Sequence, residues 1–429
     1  MKLRNRLLAL FCLLIFIAFG VFFFRTWVVQ KPFGMILFLN DGLSTNLVTA
    51  ARLYEGGATH RLTVESFPHL ALVRNASGDY AVPDAEAAAS AIATGVKVNN
   101  RALSVDARGE ALRSLLTLAR DAGRATGLVT TGSLTDPTPA AFYANGTDAN
   151  DAHRLAEAFV KDAPVDLALG GGLAAFTPES KGGARKDGRD LWLELRSKGY
   201  SLVRTKAELE NTPAFLTGPM AGIFSDGYLP YASELESGGQ QPSLSDMVRR
   251  AIEILQTNAR GYLLVVDCAA VSRLAGENRG DQVLAEMVQF DRALEVARRY
   301  AGEKTLIVAV GKHEVGGLTL NGFPLKEDRG VALLGTNASG FPSLTWSTGP
   351  NGRSDGPPKA TLGIAADGSE PAPLHPPGRD VSAEPAAFRA DYAIPTARDM
   401  LMVGSGPGSE TIGGFMENTA VFELFKQQL

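Results

Sequence analysis

The feature that most constrains this chain is a repeated pair of patterns. Short, mainly apolar runs alternate along the chain with stretches of helix length. Gly34–Leu39 reads Gly-Met-Ile-Leu-Phe-Leu and stops at Asn40-Asp41-Gly42. Thr126–Thr131, Val165–Leu169, Tyr262–Asp267 and Thr305–Val310 repeat the arrangement. Helical stretches are read at Leu47–Tyr54, Ala85–Thr94, Leu112–Ala122, Leu244–Thr257 and Gln282–Tyr300. An apolar run without alternation suits a strand covered on both faces, and strands separated by helices of ~10–20 residues are joined by crossovers. The pattern predicts an α/β fold with a central, largely parallel sheet and helices on both faces. Its ligand site is expected at the carboxyl ends of the strands.

The N-terminus is a separate segment, 1–30. Lys2, Arg4 and Arg6 precede an uncharged run, Leu7–Phe24, which Arg25 and Trp27 close. Eighteen residues at helical rise cover ~27 Å, close to a hydrocarbon core. The exit, Phe22-Phe23-Phe24-Arg25, lacks the small residues of a cleavage site. An uncleaved signal anchor is expected, with its basic flank in the cytoplasm and the remainder, 31–429, exported to the periplasm or cell exterior. With a net charge of −4 and no basic stripe, nucleic acid is not an expected partner. The two cysteines, Cys12 and Cys268, build no disulfide framework and read as small buried hydrophobes. From 341 to 395 the texture turns to Pro, Gly, Ser and Asp, with Gly356-Pro357-Pro358 and His375-Pro376-Pro377, and reads as a surface insertion rather than a second domain.

Several separated segments, in order, resemble the alkaline phosphatase family. They are Met35–Gly57, Val82–Asn100, Thr130–Tyr143, Gly261–Asp281 and Thr305–Leu320, and the tail Gly404–Phe422 continues the match. The resemblance implies that family's α/β fold and a phosphomonoesterase ancestry. Its members use a serine at a helix N-terminus, two zinc ions and usually a magnesium, the metals holding the phosphoryl group and lowering hydroxyl pKa values. A homodimer is implied by resemblance alone.

Carried over position by position, the catalytic set is broken. The serine position is Ala85, within Asp84-Ala85-Glu86-Ala87, and alanine forms no covalent intermediate. Ser90 lies more than a helical turn further on and is expected to pack the helix. Asp41 matches the bridging aspartate, Thr138 the magnesium-site threonine, and Asp267 stands where the family has a glutamate ligand. These three make a candidate magnesium corner of hard oxygen donors. His313 remains beside Asp41, but the preceding zinc ligand has become Lys312. The second zinc site falls on Ser272, Gly276 and Pro395, none of which replaces its ligands, so zinc is not expected. A phosphate-gripping arginine falls on alanine within Ala144–Ala149.

Without metals, clustered carboxylates repel and take up protons. Lys312, helped by Arg273, is therefore expected to replace metal charge through ion pairs to Asp41 and Asp84. The leading expectation is a membrane-anchored, catalytically inactive relative that binds a small anionic ligand or a protein partner at the old cleft. One alternative is hydrolysis of phosphate or sulfate esters at a single magnesium-type site. Another is a structural cell-envelope protein using 341–395 as its contact surface.

Overall fold

The computed structural model describes residues 2–23, 33–215, 218–235, 240–321, 342–353 and 385–429. Ten strands form the main sheet: β1 (Gly34–Asn40), β2 (His69–Arg74), β3 (Ala125–Ser133), β4 (Leu167–Gly171), β5 (Ser201–Val203), β6 (Met220–Ile223), β7 (Tyr262–Cys268), β8 (Thr305–Gly311), β9 (Met400–Ser405) and β10 (Gly414–Glu417). Their order is β10-β2-β9-β8-β1-β7-β3-β4-β6-β5. All neighbours run parallel except β9, which is antiparallel to both β2 and β8. The expected α/β architecture is present, and each of the five strand runs read from the sequence lies on or overlaps an observed strand.

The pleat of β1 explains why the run is apolar on both sides. Ile36 and Phe38 join one core while Met35, Leu37 and Leu39 join the other. Successive side chains point to opposite faces, so a strand between two helical layers needs apolar residues at every position. Helices α2 (Thr45–Gly56), α7 (Leu244–Leu255) and α9 (Gly280–Ala301) cover the first face. Helices α3 (Ala85–Thr94), α4 (Leu115–Asp121) and α6 (Ala152–Asp162) cover the second, with the short α5 (Pro137–Ala140) beside α3. The short α8 (Ala270–Gly276) follows β7 directly.

The described ends of the 341–395 segment are not loose surface. Leu344–Gly349 and Ala386–Arg389 pair in parallel within a four-stranded sheet, and Leu344, Trp346 and Ala386 are buried in the first core. Residues 354–384 lie outside the described residues. The N-terminal helix α1 runs Lys2–Phe23, with side chains described only over residues 4–20. Among the described residues no helix is long and apolar enough to cross a membrane. Cys268 is buried as expected, but Cys12 is exposed, as are all the described side chains of α1.

Candidate functional site

The site is built by strand register. β1 and β8 pair with Asn40 opposite Gly311, so the next residues along, Asp41 and Lys312, emerge side by side. β7 and β3 pair with Asp267 opposite Thr130, and β1 and β7 with Leu39 opposite Asp267. Because direction alternates along a strand, Leu39, Asp41 and Asp267 share one face. Four adjacent strand ends thus deliver two carboxylates, an ammonium and a hydroxyl to one place, all buried.

Lys312 Nζ forms an ion pair with Asp41 Oδ1, their side chains being 1% and 3% exposed. His313 Nδ1 lies 3.1 Å from the same oxygen. Backbone bonds fix the pair in place: the Gly42 amide donates to the His313 carbonyl at 2.6 Å, and the Asn75 side-chain amide donates to the Lys312 carbonyl. Burial on its own would push the Asp41 carboxyl up. The charges of Lys312 and His313, with their hydrogen bonds, outweigh it and hold Asp41 well below the usual carboxylate range.

Asp267 behaves in the opposite way. Its Oδ2 accepts from Thr130 Oγ1 at 2.9 Å, and its Oδ1 is buried without a hydrogen-bond partner. Burial pushes it up to about 7, against the pull of Lys312 and with the push of Asp41. Asp136, just ahead of α5, is raised to about 6 by burial, against hydrogen bonds from the Tyr228 hydroxyl and the Ser133 amide at 2.9 Å. Glu86 is also raised, by burial and by neighbouring Asp84, while His313 and Lys312 draw it down. One buried cation therefore serves a group of carboxyls, and the ones it does not pair with are held toward their neutral forms.

Asp84 does not join the ion pair. It is the N-cap of α3, its Oδ1 accepting from the Ala87 amide at 2.8 Å and its Oδ2 from the Arg101 amide at 2.5 Å. Oδ1 thus satisfies an amide that a helix start leaves unpaired, while Oδ2 ties the turn at Arg101 to the same side chain. Arg273 also departs from expectation. It is exposed, with its guanidinium 5.1 Å from the centre of the Tyr228 ring. Ala85 opens α3, half-buried, with a methyl group where the resemblance places the nucleophile. Ser90 is fully buried and accepts from the Ser104 amide at 2.9 Å, which fixes it as packing.

At Gly276, one of the positions to which the resemblance assigns the second zinc, an aromatic ring fills the space. A Cβ on Gly276 would fall 1.9 Å from the Tyr392 ring, and the Tyr392 hydroxyl lies 3.3 Å from the backbone carbonyls of Ser272 and Arg273. Burial raises the Tyr392 hydroxyl to about 12. Pro395 pairs with Val315 in a short antiparallel bridge, and Thr396 and Arg398 hold the buried Glu314 at 2.7 Å each. Tyr392 was not singled out in the sequence. The glycine at 276 was the available signal, since removing a histidine side chain leaves a gap that something must fill.

These residues do not fit the zinc pair that the resemblance brings. One position holds an ammonium on the bridging aspartate, and the other holds an aromatic ring. Thr138 is buried in α5, but Asp41, the charged donor of the magnesium corner, is already engaged by Lys312. Among the described residues no group of three His, Cys, Asp or Glu is placed to hold a metal ion.

Known proteins bear on this geometry. A family model described as alkaline phosphatase matches residues 34–429. Alkaline phosphatase 4 of Bacillus subtilis (strain 168) is 31% identical over 305 residues, covering 67% of this chain and 62% of that protein. The human tissue-nonspecific isozyme is 30% identical over 374 residues, covering 74% of this chain and 70% of that protein. Among solved structures, the alkaline phosphatase of the Antarctic bacterium TAB5 superposes with a TM-score of 0.69 at 20% identity, covering 93% of this chain and 98% of that one. The Thermus thermophilus alkaline phosphatase gives 0.71 at 24% identity, covering 93% and 92%. A variant of the TAB5 protein carries magnesium in its M3 site. The structural likenesses show the fold, and the family match over the whole described domain settles descent: this chain belongs to the alkaline phosphatase family.

Proposed function

We propose that this chain is a membrane-anchored member of the family that no longer turns over phosphomonoesters, its metal cleft held together by a built-in cation. The observation that carries the reading is the buried Lys312–Asp41 pair. An ammonium on the bridging aspartate competes with any divalent ion for the same oxygens, and a buried pair is costly to break. Ala85 and the Tyr392 ring over Gly276 support it, since each removes a different part of the machinery. A ligand entering the cleft would be bound rather than cleaved. The anchor rests on α1, whose apolar side chains stand exposed, with Leu7 at 60% and Phe16 at 74%. Apolar surface on that scale requires cover, and lipid supplies it.

The test is the full chain assayed with an aryl phosphate at alkaline pH with added zinc and magnesium, alongside metal analysis of the same sample. The expected results are no turnover above background and zinc well below one per chain. Ala85→Ser is expected to stay silent, since both zinc positions remain occupied by side chains. Turnover that Asp41→Ala abolishes would refute the reading and favour a magnesium-type hydrolase. Co-flotation with zwitterionic vesicles tests the anchor separately.

A further inference from the structure

The end of the sheet opposite the cleft carries a second surface. β1, β7 and β8 begin there, at Gly34, Tyr262 and Thr305, and α9 ends there. Arg61, Arg298 and Arg299 line one open cleft of about 490 Å³ together with Ser66 and Glu295. Arg298 lies 5.4 Å from the centre of the Phe67 ring and donates to the Ser66 hydroxyl. Lys304, exposed just before β8, accepts at its carbonyl from the Phe33 amide at 2.8 Å, which joins the start of β1 to the same surface. Phe33 and Tyr300 are 37% and 41% exposed on this side. Helix macrodipoles favour basic residues in a last turn. That accounts for Arg298 and Arg299, but Arg61 and Lys304 lie outside any helix.

The chain as a whole is acidic, with a net charge of −4. Around the start of β1, however, the exposed cations Arg61, Arg298, Arg299 and Lys304 outnumber the exposed carboxylates beside them, Glu295 and Glu303, so this end is locally basic. Residues 24–32 alone separate α1 from Phe33, and nine residues reach at most about 32 Å when fully extended. We propose that this basic, aromatic-bearing end docks on anionic phospholipid headgroups, turning the cleft away from the membrane. The proposal rests on α1 being the anchor. Arginines and lysines near an anionic surface are attracted within a Debye length, and exposed aromatic rings suit the headgroup layer.

The experiment uses the full chain with Cys12→Ala, so that buried Cys268 is the only native thiol, and reads labelling by a soluble maleimide. Tyr300→Cys reports the basic end and Asp226→Cys the opposite, exposed end. The expected result is flotation with both zwitterionic vesicles and vesicles containing about a third phosphatidylglycerol. Labelling at Tyr300→Cys should slow about fivefold or more on the anionic vesicles alone. It should recover in about 0.5 M salt, or on adding Arg61→Glu, Arg298→Glu and Arg299→Glu, while Asp226→Cys does not change. Equal rates on the two vesicle types, with flotation intact, would overturn the docking face and leave the anchor standing. Flotation with anionic vesicles alone, with Tyr300→Cys still protected, would remove the anchor and uphold the face. Flotation with neither overturns both.

Discussion

Replacing Lys312 by methionine isolates the main claim about the cleft, because it keeps the side chain's length and removes its charge. The ammonium and its partner are 1% and 3% exposed, so Asp41 would be left charged, buried and facing only His313. Removing one partner of a buried pair costs about 3–5 kcal/mol. The carboxyl has an escape, since it can take up a proton. From its ordinary value of 3.8, that route costs about 4 kcal/mol at pH 7 and about 1.6 kcal/mol at pH 5, at 1.36 kcal/mol per unit. The loss is therefore expected to be roughly 3–4 kcal/mol at pH 7 and about half of that at pH 5. In the native chain the sign is opposite. The folded carboxyl is depressed, so its stabilisation is complete above 3.8 and fades only as pH falls toward its own much lower value. The assay is equilibrium urea unfolding at both pH values, with Lys312→Met/Asp41→Asn as the companion variant, which should recover most of the loss. A cost below about 1 kcal/mol at pH 7, or one that does not change with pH, would show that the pair does not hold the cleft. The same variant opens the aspartate to solutes, so added magnesium or zinc should raise its melting temperature while leaving the native chain unmoved.

Asp267, raised to about 7 from 3.8, stabilises the fold below its ordinary value, and that contribution is lost as pH climbs to about 7. Asp267→Asn keeps an acceptor for Thr130 and should remove roughly 2–3 kcal/mol of the stability lost between pH 5 and 8, read from unfolding curves at the two values. Gly276→Ala drives a methyl group into the Tyr392 ring and should cost about 1–3 kcal/mol. In a Tyr392→Ala background the same change should cost far less, and additive losses would mean the ring does not fill that space. Arg185, 2% exposed, donates to Glu157 at 2.6 Å and to the His153 and Ala175 carbonyls at 3.2 and 3.3 Å, and pairs with Asp187. Its carboxylate partners are half-exposed and can rehydrate, so Arg185→Met is expected to cost about 2–3 kcal/mol, mainly through the stranded carbonyls, measured as a drop in melting temperature.

The layered sheet was legible in the sequence, because a strand covered on both faces needs mainly apolar residues and β1, β7 and β8 supply nearly unbroken runs of them. Missed were β2, β5, β6, β9 and β10, whose short runs depend on their neighbours: β9 reads as a strand only once β8 and β2 flank it. The sequence also determined that Ala85, Gly276 and Pro395 carry no hydroxyl or imidazole, regardless of fold. What replaced them was decided in three dimensions. Lys312 meets Asp41 because β1 and β8 pair in one register, while Asp84, equally acidic on paper, is taken up by the amides of Ala87 and Arg101. Arg273 follows its helix outward to Tyr228, and Tyr392 returns from more than a hundred residues away to lie over Gly276. Those outcomes depend on packing between segments distant in the chain, which no local pattern encodes.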